Sequence, residues 1–377
     1  MGWQSEFDDI RPYSDLELPS VLRRIRRNRW LISGIRRMRT PKCPDLLKPF
    51  AHGIIRLDLW RILRQLNTID EFQRKIIVDR VLNYVIKKTT AGLTWSGTDQ
   101  FTRGGAYVFI SNHRDIVLDS AFVNYALAKS DLDIAEIAFG DNLLTNEFVS
   151  DLIRINKSFI VYRNLSIRER AKAAFRLSRY IHLTRKQGNS IWMSQREGRA
   201  KDGNDLTNPS VLKMLFLSDR RNGMKFANFI QTYPIVPVSI SYEFDPCDRF
   251  KARELHRQRT NGSYEKRQSE DLMSMYVGLI GEKGRVHVSF GTPLDKPDNI
   301  KAAIVDIDRQ IFSLYRLWPS NQIAYDAIHP GKKYSDRYTA EEERFFRERF
   351  RKETEPVRRV AFEIYAATVV NHLAAGA

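Results

Sequence analysis

Apolar positions change their spacing partway along the chain. Up to about residue 100 they recur three and four apart, the helical period. Leu18, Leu22, Ile25, Ile32 and Ile35 mark one side of a segment that includes "VLRRIRRNRWLISGIRRMR", Val21 to Arg39, and Pro19 suits a first helical turn. A second helix is expected from near Ile69 to Lys88, with Phe72, Ile76, Val81, Tyr84 and Val85 on its apolar side, before the turn-rich "TTAGLTWSGTDQF". From Ala106 the period alternates between strand and helix. "AYVFISN" reads as a buried strand, "DIVLDSAFVNYALA" as a helix, and "DIAEIAFG", "SFIVYR" and "SIWMSQ" as strands. A long helix from Ser166 to Gln187 precedes the last of these, with Ser166 and Glu169 at capping-box spacing and Gly188 at its stop. "NPSVLKMLFLSD" follows as a short helix capped by Asn208, with Pro209 at its first position. "YPIVPVSISYEF" and "GRVHVSFGTPL" supply two later strands. Between them "FDPCDRFKARELHRQRTNGSYEKRQSEDLM" reads as a charged insertion of loop and helix against the surface. The tail from Thr339 to about Ala374 is helical, and Thr339 and Glu342 repeat the capping-box spacing.

Strands alternating with helices predict an α/β fold, a central mixed sheet flanked by helices, with N-terminal and C-terminal helical additions. The expected organisation is an N-terminal helical region over 1–100 containing candidate membrane-contact helices, an α/β domain over 101–320 with the charged insertion near 245–275, and a helical extension over 321–377. With 377 residues, 42% of them hydrophobic, the chain can bury a full core.

Charge narrows the partners. The chain has 62 Lys and Arg against 45 Asp and Glu, a formal net charge of +17, which suits nucleic acid, an anionic bilayer or phosphorylated substrates. Val21 to Arg39 alone holds eight arginines and no acid. A basic helix with Trp30, Ile32 and Ile35 on its apolar side fits a membrane interface; it fits equally a core-packed helix with a solvated arginine face. No stretch has the roughly 20 apolar residues of a spanning helix, and the N-terminus lacks a signal-peptide pattern. The two cysteines, Cys43 and Cys247, form no CxxC pair, and a reducing compartment is expected.

"SNHRDIVLDS", residues 111 to 120, puts His113 where a strand gives way to a helix, the place at which an open α/β sheet exposes functional side chains. A histidine can take a proton from a hydroxyl near neutral pH, and a carboxylate on its other nitrogen fixes its tautomer. Asp115 and Asp119 are both candidates for that carboxylate. The plain alternative makes Asp115 a helix cap and His113 a packed residue at the helix start. GxxxxGK[ST], HExxH, GxSxG and a strand-following GxGxxG are all missing, so phosphate-loop, zinc-protease and serine-hydrolase chemistry lose support. His182 and His287 lack partners in sequence and read as structural or exposed.

"NHRDIVLD" resembles the first motif, NHxxxxD, of the glycerolipid acyltransferase superfamily. "INKSFIVYR", ending at Arg163, is similar to the second block; "SQREGRAKDG" to the third, with core EGTRS; and "YPIVPVSI", with Pro237, to the fourth. The blocks follow in the family's order over residues 106 to 240. Two spacings depart from it: Leu118 stands at the family's aspartate position and Asp119 one later, while Arg199 comes two residues after Glu197 rather than three. Of the two aspartates Asp119 is favoured, Asp115 being better placed to cap.

The resemblance implies that His113, oriented by Asp119, deprotonates an acceptor hydroxyl that attacks a thioester directly. It implies Arg163, Arg196 and Arg199 as phosphate ligands, Glu197 as a group orienting an arginine or a glycerol hydroxyl, and Gly198 as part of the third block. The expected partners are an acyl donor thioester, acyl-CoA or acyl carrier protein, as co-substrate with no cofactor and no metal, a phosphorylated glycerol or lysophospholipid acceptor, and an anionic membrane surface. The expected location is cytoplasmic, peripherally associated with the inner face of a membrane. One alternative is an inactive lipid-binding protein of the same fold. Another, a basic nucleic-acid-binding protein, lacks any RNA-recognition, zinc-finger or KH signature, so no nucleic-acid partner is expected.

Overall fold

The computed structural model describes residues 3–40, 42, 44–163, 165–264 and 270–376; Cys43 lies outside them. Its strands are β1 (Gly92–Ser96), β2 (Val108–Ser111), β3 (Glu136–Gly140), β4 (Ser158–Val161), β5 (Ile191–Ser194), β6 (Ile235–Tyr242) and β7 (Arg285–Phe290). The chain divides into two compact units, Met1–Val81 with Ile134–Arg170 and Leu82–Asp133 with Ala171–Ala377.

In the first unit the basic segment forms two helices rather than one, Leu18–Arg27 and Arg29–Arg39. Asn28 takes an extended conformation between them, and its side chain accepts the Leu31 N–H to cap the second. Leu18, Val21, Leu22 and Ile25 are buried in one cluster with Leu63, Leu66, Ile69, Phe72 and Ile155. The apolar side of the first helix is therefore core, not membrane contact. Exposed apolar side chains lie elsewhere: Trp30, Leu46 and Leu47, and then Phe50, Ile54, Leu57 and Trp60 along the helix Lys48–Leu63. Strands β3 and β4 pair in parallel in this unit.

In the second unit five strands run in the order β1-β7-β6-β2-β5. All neighbours are parallel except β6 and β7, so the sheet is mixed and the fold is α/β. Strands β2 and β6 are buried at every position, as in sheets covered on both faces. The edge strand β1 lies inside the stretch read as a turn-rich entry to the sheet; it pairs with β7, and its positions are at most half-buried, which left it little apolar signal.

The helix after β2 is Leu118–Lys129, buried nearly all round. Ser166 and Glu169 exchange capping bonds ahead of the helix Ile167–Lys186, and the Asn208 side chain caps Pro209–Arg221. The C-terminal tail, expected to be helical, forms two helices, Ala340–Arg349 and Glu355–Ala374; Pro356 occupies the first turn of the second, a position that tolerates its missing N–H. The charged insertion forms the helices Asp248–Asn261 and Glu270–Ile280. It is no surface appendage, since Asp248, Lys251 and Ala252 are buried. Among the described residues no helix is long and apolar enough to cross a membrane.

Candidate active site

The site begins where β2 stops. The Asn112 side chain donates from Nδ2 to the Ile240 carbonyl (3.0 Å) and accepts the Ile240 N–H on Oδ1 (2.8 Å), standing in for one more rung of the ladder to β6. With its pairing finished by a side chain, the main chain is free to turn at His113. On the other side the Gln195 N–H donates to the Ser111 carbonyl and the Ala200 N–H to the His113 carbonyl, each at 2.8 Å. The loop carrying Arg196, Glu197, Gly198 and Arg199 is thus fastened at both ends to the His113 segment. Gly198 has φ +73°, a backbone conformation glycine adopts without a Cβ penalty.

His113 Nδ1 lies 2.9 Å from Asp119 Oδ2. The same oxygen accepts the N–H groups of Arg114 (2.6 Å) and Asp115 (2.9 Å), and Oδ1 accepts the Tyr242 hydroxyl at 2.7 Å. Asp119 has no solvent exposure. The extra residue in the first block is absorbed here: Asp119 sits in the first helical turn and reaches back over the two N–H groups that the lengthened turn presents. A carboxylate surrounded by donors calls for a proton on Nδ1, which leaves Nε2 as the accepting nitrogen of the ring. The ring stands edge-on to Trp192, with centroids 6.3 Å apart.

Asp115 does different work. Its Oδ1 accepts the N–H groups of Val117 (2.9 Å) and Leu118 (2.8 Å), capping the helix start. Its Oδ2 is buried without a hydrogen-bond partner, against Gly278, where a Cβ would overlap it. Burial first, and the neighbouring Asp119 charge second, push the Asp115 carboxyl above the ordinary range.

Beneath His113 lies a buried charge cluster. The Arg114 guanidinium reaches Asp205 (2.5 Å), Asp245 (3.2 Å) and the Gly203 carbonyl (3.1 Å). Lys251 donates to the Arg114 carbonyl at 2.9 Å and pairs with Asp245. Two cations thus meet two carboxylates. Burial alone would lower the Arg114 pKa, but Asp205, Tyr315 and Asp245 together outweigh it and raise it.

Of the residues picked out from sequence, His113 and Asp119 are in direct contact and Arg196, Glu197, Gly198 and Arg199 share the loop tied to them. Arg199 is largely buried, 4.0 Å from the Asp271 carboxylate. Arg163 belongs to the first unit, where its N–H donates to Asp141 Oδ1 (3.1 Å) and its guanidinium occupies the space a Cβ on Gly140 would fill. His182 does have partners, Asp219 (2.9 Å) and the Tyr233 hydroxyl (2.8 Å), and His287 contacts Thr94 and Ser96. Tyr242, Asp205, Asp245 and Lys251 escaped sequence reading. They lie outside the motif-bearing blocks or at their edges, and in so charged a chain an isolated acid or lysine carries no mark of burial.

Residues 92–241, which hold β2, the His113–Asp119 pair and the 195–200 loop, match the family model described as Acyltransferase. Among solved structures the chain is similar to the 1-acyl-sn-glycerophosphate (LPA) acyltransferase PlsC from Thermotoga maritima, at 12% identity over 90% of this chain and 98% of that one, with a TM-score of 0.35. No curated protein matches the chain.

Proposed function

We propose that the protein is a peripheral membrane O-acyltransferase that moves a fatty acyl group from acyl-CoA or acyl carrier protein to a hydroxyl of a glycerol phosphate or lysophospholipid. The observation that carries this reading is the contact between His113 Nδ1 and the buried, donor-saturated Asp119 carboxylate inside the segment that matches the Acyltransferase family model. Nε2 accepts the acceptor's hydroxyl proton as its oxygen attacks the thioester carbonyl carbon. The tetrahedral intermediate collapses, the C–S bond breaks, and the imidazolium returns the proton to the leaving thiolate. No acyl-enzyme forms. Arg196 and Arg199, and Arg163 from the second block, are the guanidinium groups suited to the acceptor's phosphate. Membrane contact is assigned to the stretch 29–64 and the chemistry to 101–320. The former exposes Trp30, Leu46, Leu47, Phe50, Ile54, Leu57 and Trp60 amid many arginines and lysines and only two acids, Asp45 and Asp58.

The test is an acceptor screen with labelled acyl-CoA and acyl carrier protein thioesters. Wild type should esterify a glycerol phosphate or lysophospholipid, and His113→Ala should lose on the order of a thousandfold in rate with its fold intact. Full activity in His113→Ala removes the histidine from the chemistry. No transfer from either donor to any acceptor favours the inactive lipid-binding alternative.

A further inference from the structure

Resting on the acyltransferase reading, we propose that Tyr242 is a positioning residue which sets how tightly Asp119 holds the proton on His113. Asp119 Oδ2 is engaged by three groups of its own loop, the His113 ring and the N–H groups of Arg114 and Asp115. Oδ1 receives one hydroxyl, delivered from the last residue of β6. Both ends of that bond are buried, Asp119 fully and Tyr242 all but fully. A carboxylate out of water depends on its donors for its charge, and removing one raises its affinity for a proton. A more basic Asp119 pulls harder on the Nδ1 proton and stabilises the imidazolium beside it. The Tyr242 hydroxyl, by occupying Oδ1, therefore tempers the pull of Asp119 on the Nδ1 proton.

The charged neighbours do not duplicate this bond. Asp115 feels Asp119 and Arg199 and in turn acts on Tyr242, Lys283 and Cys247; Asp245 acts on Tyr242 and is closed by Arg114 and Lys251. Trp192 faces the imidazole as a ring edge. Tyr242 also packs beside Phe122, centroids 6.1 Å apart, a contact that phenylalanine preserves.

The experiment compares wild type, Tyr242→Phe and Tyr365→Phe. Tyr365 is an equally buried tyrosine whose hydroxyl donates at 2.8 Å to Asp248 rather than Asp119, so its variant controls for loss of a buried hydroxyl as such. The His113 titration midpoint is read by proton–carbon NMR, with His113→Ala to assign the signal, and the pH dependence of kcat/KM is read alongside. Tyr242→Phe should move the midpoint and the acid limb of the profile upward together by about half to one pH unit. Its rate loss should be several-fold at pH 6 and fade at pH 8. Tyr365→Phe should lower Tm and move neither. If Tyr242→Phe lowers Tm while midpoint and acid limb stay in place, Tyr242 is only structural. The titration is read without substrate, so failure of wild type to transfer any acyl group overturns the enzymatic reading separately.

Discussion

Two aspartates four residues apart illustrate how environment rather than residue type assigns a role. Asp119 accepts four donors, whereas Asp115 spends one oxygen on a helix cap and leaves the other buried and unpartnered. Asp119→Asn should cut acyl transfer by about two to four orders of magnitude, because an amide can present a donor to Nδ1 and reverse the tautomer. Asp115→Asn should behave oppositely. Its folded-state carboxyl binds protons more tightly than the unfolded one, so ionisation works against the fold. That cost is absent below about pH 4, where the carboxyl is protonated in both states, and grows as pH rises toward the raised folded value. Asp115→Asn should then match wild-type stability at pH 3 and exceed it at pH 8, as read by chemical denaturation. His113 and both aspartates were legible from sequence, because one short block contained them all. The choice between the aspartates was legible as a preference, since capping geometry depends on the residues just before a helix.

Elements that looked peripheral prove to hold the site from below. The helix Asp248–Asn261 comes from the charged insertion, yet its Lys251 donates to the carbonyl of the residue next to His113. Lys251→Met should destabilise the fold by about 3–5 kcal/mol, since it leaves Asp245 and the Arg114 carbonyl short of a donor in the interior. Urea denaturation measures this, and acyl transfer should fall with it as the His113 turn loosens. Helices and central strands were readable because apolar spacing and caps are local properties. Asn208, Thr339 and Ser166 capped where their neighbours said they would. The break at Asn28 was not readable, because a long basic run keeps helical spacing on both sides of it. Nor was β1, whose partner β7 lies almost two hundred residues away in sequence.

The whole chain carries +17, and the stretch 29–64, with nine basic residues against two acids, also exposes apolar side chains. If that stretch meets the bilayer, Phe50→Glu with Leu57→Glu should weaken co-sedimentation with anionic vesicles by at least tenfold. Raising salt from 0.1 to 0.5 M should weaken wild type as well, by screening, while neutral vesicles bind poorly at either salt. Unchanged binding by the double variant places the contact elsewhere. Sequence alone left the basic segment 21–39 open between a membrane face and a core-packed helix. Helical spacing shows that a helix has an apolar side, but not whether another part of the chain already covers it, and Leu63, Leu66, Phe72 and Ile155 do so.

The cluster under His113 also restricts how this sequence can drift. Arg114, Asp205, Asp245 and Lys251 come from three separate stretches of chain and balance as two charges against two. Losing any one by a single base change strands an opposite charge in the interior. Neutral replacement is open only to pairs, Arg114 with Asp205 or Lys251 with Asp245, so the quartet behaves in mutation as two linked characters rather than four independent sites.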